Sequence, residues 1–162
     1  MKIKILFVCH GNICRSPMAE FVMKKLVGDS DDFEIASAAT STEEIGNPVY
    51  PPARRMLAMH GIDCSGKTAR QMTARDYEYY DYIVLMDRNN LRNLRWILPA
   101  NVYTRETSGP VENRKVSLLM DWVGKSRDVA DPWYTGDFVA TWDDVNEGCK
   151  AMLAQISQQI QQ

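Results

Sequence analysis

The chain has 162 residues, 45% hydrophobic and 25% charged, with 19 Lys+Arg against 21 Asp+Glu and a formal net charge of −2. That suits one compact domain over residues 1–162, which can bury roughly 70% of the surface its unfolded chain exposes, so neither disulfides nor a metal is needed to hold a core. The composition excludes a disordered chain. The charge balance excludes recruitment of nucleic acid or of an anionic membrane by a global basic excess, and no run of 18 apolar residues is present to span a bilayer.

Residues 3–8 form a short, mostly apolar run without clean alternation, which reads as a strand covered on both faces. It ends in Cys9-His10-Gly11-Asn12 rather than in a small-residue cleavage site, so it is read as a buried strand and not a signal peptide, and the expected compartment is the cytoplasm. A helix follows, with Ser16 as its N-cap, Pro17 at its first position, apolar residues 18, 22, 23 and 26 on one face, and Gly28 as its stop. Phe33 to Ala39 is a second strand, and Thr40 to Pro52 is rich in turn residues. Ala53 to His60 carries helical spacing closed by Gly61, and Thr73 caps a short helix over residues 74–77. Tyr82 to Met86 is a third strand, and Asp87 caps a helix from Arg88 to Trp96. Pro99 precedes a fourth strand near Val102 and Tyr103, Ser117 to Val123 reads as a short helix, Ser126 to Phe138 as a loop, and Trp142 to Gln159 as a long final helix.

Strands alternating with helices imply βαβ units. The expected fold is a single-domain, doubly wound α/β structure with a central four-stranded parallel sheet flanked by helices. In such sheets ligands bind outside the carboxyl ends of the strands, where Cys9, Ser37 and Asp87 fall. Cys9, Cys14, Cys64 and Cys149 lack the spacing of a zinc site, and His10 and His60 sit in unrelated contexts. No metal and no cofactor are expected.

The segment from Cys9 to Ser16 joins a strand to a helix, an arrangement that aims backbone N–H groups and a positive dipole at an anion. Gly11 permits an unusual backbone angle, and Asn12 is of a type that tolerates positive φ. The amides of His10, Gly11, Asn12, Ile13, Cys14 and Arg15 can curl into a nest around a tetrahedral oxyanion. Cys9 sits at its base, where a helix N-terminus and a nearby Arg favour the thiolate. Arg15 has the planar fork that grips two phosphate oxygens, and Ser16 can donate to the thiolate. An isolated C-x5-R pattern would be a buried strand cysteine and a surface arginine; the strand before it, the Gly-Asn bend and Ser-Pro after it favour the functional reading.

This stretch resembles the signature loop of low-molecular-weight protein tyrosine phosphatases. Further blocks resemble that family in order along the chain: Ser37 to Thr42, Ile45 to Pro48, His60-Gly61-Ile62, Ala69-Arg70-Gln71, Asp81-Tyr82-Ile83, Met86-Asp87, Asn90-Leu91-Arg92 and Asp131-Pro132-Trp133-Tyr134. The resemblance implies a metal-independent two-step phosphoryl transfer with Cys9 as nucleophile, Arg15 as phosphate clamp and Asp131 as general acid and then base. Without the resemblance, Asp131 is one acid among 21. Asn12, Ser16, Ser37 and Asp87 would support the loop, with Asp87 either pairing with Arg15 or acting as a plain helix cap. Glu43, Ile45, Trp133 and Tyr134 would wall a cleft deep enough to prefer phosphotyrosine over phosphoserine. Cys14 would trap oxidised Cys9 as a disulfide, and Cys64 and Cys149 would fill space.

The implied partners are phosphotyrosine-containing proteins, a tyrosine kinase among them, acted on by a monomer. Many relatives carry a loop-bracing His in the stretch that here reads Asp63 to Thr68, which puts those bonds in question. Glu43 stands where relatives often have an aromatic, making the wall more acidic and unfavourable to acidic flanks. Three other readings compete. Arsenate reductases need a closely spaced downstream cysteine pair that is absent here, protein-arginine phosphatases carry Thr where Ile13 stands, and a binding module has no need of Asp131.

Overall fold

The structure, a computed structural model, describes residues 2–161. Four parallel strands, β1 (Ile3–Cys9), β2 (Phe33–Ala39), β3 (Tyr82–Leu85) and β4 (Val116–Leu118), form one sheet in the order β2-β1-β3-β4. The helices are α1 (Arg15–Val27), α2 (Pro51–Met59), α3 (Ala74–Tyr79), α4 (Arg88–Asn93), α5 (Ala100–Ser108), α6 (Pro132–Thr135) and α7 (Phe138–Ile160).

The central strand is buried on both faces, as its unbroken apolar run implies. Ile5 and Phe7 pack with Met18, Val22 and Met23 of α1 and with Val145, Cys149 and Met152 of α7. Leu6 and Val8 face the other way, onto Tyr77, Leu94 and Leu98. Each such side chain contributes about 1.5–3 kcal/mol by leaving water. α7 buries Thr141, Val145, Gly148, Cys149, Met152 and Ile156, a helical stripe. Gly148 is required by close packing, since a Cβ there would lie 2.5 Å from Leu119 Cγ.

The doubly wound α/β class is as expected, but one strand is misplaced in the sequence reading. Residues 102–103 lie inside α5, which follows Pro99 at its N-cap, and β4 falls where the sequence reads as the start of a helix. A three-residue strand is too short to show a period. It is held from outside: the buried Glu106 of α5 accepts from the Val116 N–H at 3.0 Å. A 3₁₀ turn over Leu119–Val123 follows it.

Ser16 is not the N-cap of α1. The helix starts at Arg15 with Cys14 in the cap position and no side-chain cap bond, because the Ser16 hydroxyl is turned toward Cys9 and Asn12. The loop over 126–138 contains α6, the segment read as Arg88 to Trp96 passes from α4 into a 3₁₀ turn at Leu94–Trp96, and α2 and α7 begin earlier than their apolar spacing implied.

Strand order reverses direction at β1, whose neighbours are β2 and β3. The crevice outside the carboxyl ends of β1 and β3 is where such a sheet exposes a site. Cys9 ends β1, and Asp87 follows β3.

Candidate active site

Cys9 lies at the floor of a cleft of about 120 Å³ lined by the loop after β1, by Glu43 and Glu44, and by Asp131, Trp133 and Tyr134. Its sulfur is 3.0 Å from Ser16 Oγ. The bend above it depends on Asn12, at φ 60° the one non-glycine residue with positive φ among those described. Gly11 does not take a positive φ; a Cβ there would crowd Glu44 Cγ at 3.3 Å, so its small size serves close approach rather than an unusual angle.

Asn12 is 1% exposed, and its side chain is fully engaged. Nδ2 donates to Ser16 Oγ at 2.8 Å and to Ser37 Oγ at 3.0 Å, while Oδ1 accepts from the Arg70 N–H at 3.2 Å. These bonds offset the roughly 1–2 kcal/mol cost of a left-handed residue that carries a Cβ. Its side chain therefore braces the loop and does not line the cleft.

Arg15 is 2% exposed. Nη1 donates to Asp87 Oδ2 at 2.6 Å and to the Val129 carbonyl at 2.8 Å, and Nη2 reaches Asp131 Oδ2 at 3.4 Å. Burial works against its charge, but Cys9, Asp87 and Asp131 together hold the guanidinium above its ordinary value. The two readings of Asp87 both hold: Oδ1 accepts from the Asn90 N–H at 2.7 Å as the cap of α4, and Oδ2 takes Arg15. Asp131 is likewise double. It caps α6 by accepting from the Trp133 N–H at 3.0 Å and turns its other oxygen to Arg15.

Burial, with Cys9 and Asp131 facing it, pushes the Cys14 thiol up to about 12, so it is a neutral thiol near pH 7. All four cysteines are free and buried. Burial alone drives the Cys149 thiol upward, as expected of a space-filling residue. Among the described residues, no group of three or more His, Cys, Asp or Glu could hold a metal ion, and no helix is long and apolar enough to cross a membrane.

Tyr134 stands out into solvent, and Trp133 leans on Tyr50, with ring centroids 4.8 Å apart. Ile45 is exposed but does not line the cleft; Glu44 takes that place. His10 closes the rim against Glu43 at 2.9 Å. Sequence reasoning missed Glu44, Tyr50, Glu20 and Lys67. In the stretch lacking the bracing His, Lys67 Nζ donates to the Ser37 carbonyl at 3.0 Å and lies 3.5 Å from Glu20 Oε1. That Lys67 is the one cation of the stretch 63–68 was the available signal.

Fold and site thus define an α/β domain with a sharply bent loop closed around a buried cysteine at the carboxyl edge of a parallel sheet. The sequence profile of the family described as low molecular weight phosphotyrosine protein phosphatase matches residues 4–162. The chain is 35% identical over 164 residues to low molecular weight protein-tyrosine-phosphatase YfkJ of Bacillus subtilis, covering 98% of this chain and 99% of that one. It is 41% identical over 157 residues to the low molecular weight phosphotyrosine protein phosphatase of Rattus norvegicus, covering 92% of each. The crystal structure of YfkJ superposes with a TM-score of 0.86 at 36% identity, over 98% of this chain and 97% of that one. That of a Drosophila arginine phosphatase gives 0.80 at 29% identity, over 95% of this chain and 98% of that one. The chain belongs to the low molecular weight phosphotyrosine protein phosphatase family, whose members work without a metal ion.

Proposed function

We propose that this protein hydrolyses phosphotyrosine monoesters on proteins through a cysteinyl-phosphate intermediate. The observation that carries the reading is the meeting of Cys9, Arg15 and Asp131 in one cleft, with Arg15 bridging toward Asp131 at 3.4 Å and Ser16 Oγ at 3.0 Å from the sulfur. The Cys9 thiolate attacks phosphorus in line, the phosphorus–oxygen bond to the tyrosine breaks, and Asp131 gives its proton to the departing phenolate oxygen. Water then attacks phosphorus, Asp131 takes the water's proton, and the thiolate leaves with phosphate released. Backbone amides of residues 10–15 and the Arg15 fork stabilise charge on the three equatorial oxygens. Asn12, Ser16, Ser37 and Asp87 hold that cradle in shape, and Trp133 and Tyr134 flank the aromatic ring of the substrate.

Cys14 is the resolving thiol for oxidised Cys9. Peroxide converts the Cys9 thiolate to a sulfenic acid, and condensation with the Cys14 thiol forms the disulfide and releases water. The protein works as a cytoplasmic monomer on phosphotyrosine-bearing proteins, tyrosine kinases among them. Hydrolysis of phosphoarginine is the second reading, favoured by the likeness to the Drosophila arginine phosphatase; apolar Ile13 in the cleft favours the aromatic ester instead.

A kinetic panel of phosphotyrosine, phosphoserine and phosphoarginine peptides together with arsenate tests the assignment. Phosphotyrosine should lead by kcat/KM, and preference for phosphoarginine would replace the proposal with the second reading. Reversible peroxide inactivation should become harder to reverse in Cys14→Ser, and equal recovery with thiol would reduce Cys14 to packing.

A further inference from the structure

Beyond the mouth of the Cys9 cleft the surface continues into a groove of about 560 Å³. The two share Ile13, Glu44 and Trp133. From there the groove runs along Val49, Tyr50 and Pro51 to Arg54 and Arg55 of α2. Its apolar wall is tied to the loop after β1, because the Tyr50 N–H donates to the Ile13 carbonyl at 2.8 Å. Trp133 of α6 leans on the same Tyr50 ring. The cleft itself holds about 120 Å³, so most of a peptide substrate must lie outside it, and the groove begins where that peptide emerges.

Arg54 and Arg55 are exposed, and among the described residues neither has an ion-pair partner. Arg54 also lines a separate hollow with Asp63 and Cys64, which places it at the end of the groove away from the cleft. The Asp63 carboxyl is held below its ordinary value mainly by hydrogen bonds from Ser65, with a smaller pull from Arg54. Arg55 is therefore the freer cation. Glu44 is the one acid lining the groove, and Asn47 Nδ2 donates to its Oε2 at 2.5 Å, on the segment that borders the cleft. The opposite side of the cleft differs. Past His10, Asp131 and Tyr134 it opens onto a hollow lined by Asp87 and Asp128, whose one guanidinium, Arg15, is committed to Asp87 and Asp131.

We propose that the groove is a subsite for an acidic side chain of the substrate peptide, received by Arg54 and Arg55. This rests on the phosphotyrosine reading given above. The planar guanidinium fork matches a carboxylate, and the apolar wall of Val49, Tyr50 and Pro51 takes the residue between that carboxylate and the phosphotyrosine. Glu44 repels an acid placed directly beside the phosphotyrosine, whereas the arginines favour one farther along. The acidic hollow on the other side gives no such reward, so the preference has a direction along the peptide.

The test uses a neutral phosphotyrosine peptide and twins carrying one glutamate, placed in turn at each position on either side. Wild type, Arg54→Gln, Arg55→Gln, the double variant and Arg55→Glu are compared by the ratio of kcat/KM between a glutamate peptide and its neutral twin on the same enzyme, which cancels any general loss of activity. Wild type should prefer glutamate on one side only, at a position not adjacent to the phosphotyrosine, on the order of tenfold at low salt, the scale of two exposed charge pairs. The preference should be carried by KM and should shrink as salt is raised. Arg55→Gln should lose most of it and Arg54→Gln less, the double variant should show none, and Arg55→Glu should favour a lysine at the same position. A ratio that the double variant retains overturns the proposal, as does a preference equal on both sides or carried by kcat. Wild type that turns over no phosphotyrosine peptide removes the proposed function itself, whereas brisk turnover indifferent to glutamate removes only this inference.

Discussion

The two sides of the cleft are built differently. On one side, Cys9 and Asn12 to Arg15 are buried, and the side chains of Asn12 and Arg15 are each held by three hydrogen bonds, all but the Asn12–Ser16 bond to residues distant in sequence. On the other, Asp131 caps a four-residue helix that carries Trp133 and Tyr134, 52% and 83% exposed. Under the proposed function the loop must hold its amides in one geometry before an anion arrives, since donors that need no rearrangement stabilise a transition state most. Under the same proposal the Asp131 side must admit a phenol ring and release it, which a lightly packed edge allows. Arg15 touches both sides, through Asp87 on one and Asp131 on the other.

The comparison can be broken most severely at the cradle floor. Cys9→Ser should lose turnover completely while still binding inorganic phosphate, measured by calorimetry, because the amides and Arg15 remain. Asp131→Asn should be next, slowing phenyl phosphate ~10²–10⁴-fold and p-nitrophenyl phosphate much less, since the better leaving group needs a proton less. Equal slowing of both substrates would leave Asp131 a structural cap for α6. Arg15→Lys keeps charge and loses the fork, so kcat should fall on the order of 10²-fold, with a lowered melting temperature because Asp87 and the Val129 carbonyl lose donors. The smallest effect sharpens the loop's own design. Asn12→Ala and Asn12→Gly both lose the side-chain bonds, but only alanine keeps the left-handed cost. Chemical denaturation should therefore find alanine less stable by about 1–2 kcal/mol, and equal stability would show that the bend relaxes.

The extent to which the sequence was legible follows the same division. The loop was readable because its parts are consecutive: a strand, a bend residue that tolerates positive φ, and a helix within residues 3–27. Capping signals were readable for the same reason at Thr73 and Asp87. Ser16 was misread because its cap-like position is overruled by Cys9 and Asn12, which both engage its hydroxyl. Val102 and Tyr103 read as a strand because β-propensity is only a measure of fit to a half-buried surface, and in this chain that surface is offered at Val116 instead. Ile45 looked like part of the wall by its place in a family block, yet the chain turns Glu44 inward.

By itself the sequence determined the class of the fold, the positions of β1, β2 and β3, the bent loop between β1 and α1, and, through its resemblance, the family. These depend on hydrophobic period and on neighbours a few residues apart, interactions that are written locally. The tertiary structure alone decided which fourth strand completes the sheet, that Asp87 serves Arg15 and α4 at once, that Tyr50 backs Trp133, and that Lys67 and Glu20 meet beneath Ser37. Each joins residues far apart in the chain, and no local pattern encodes them. They arise when packing removes water and each buried polar group must find the donor or acceptor that happens to be within reach.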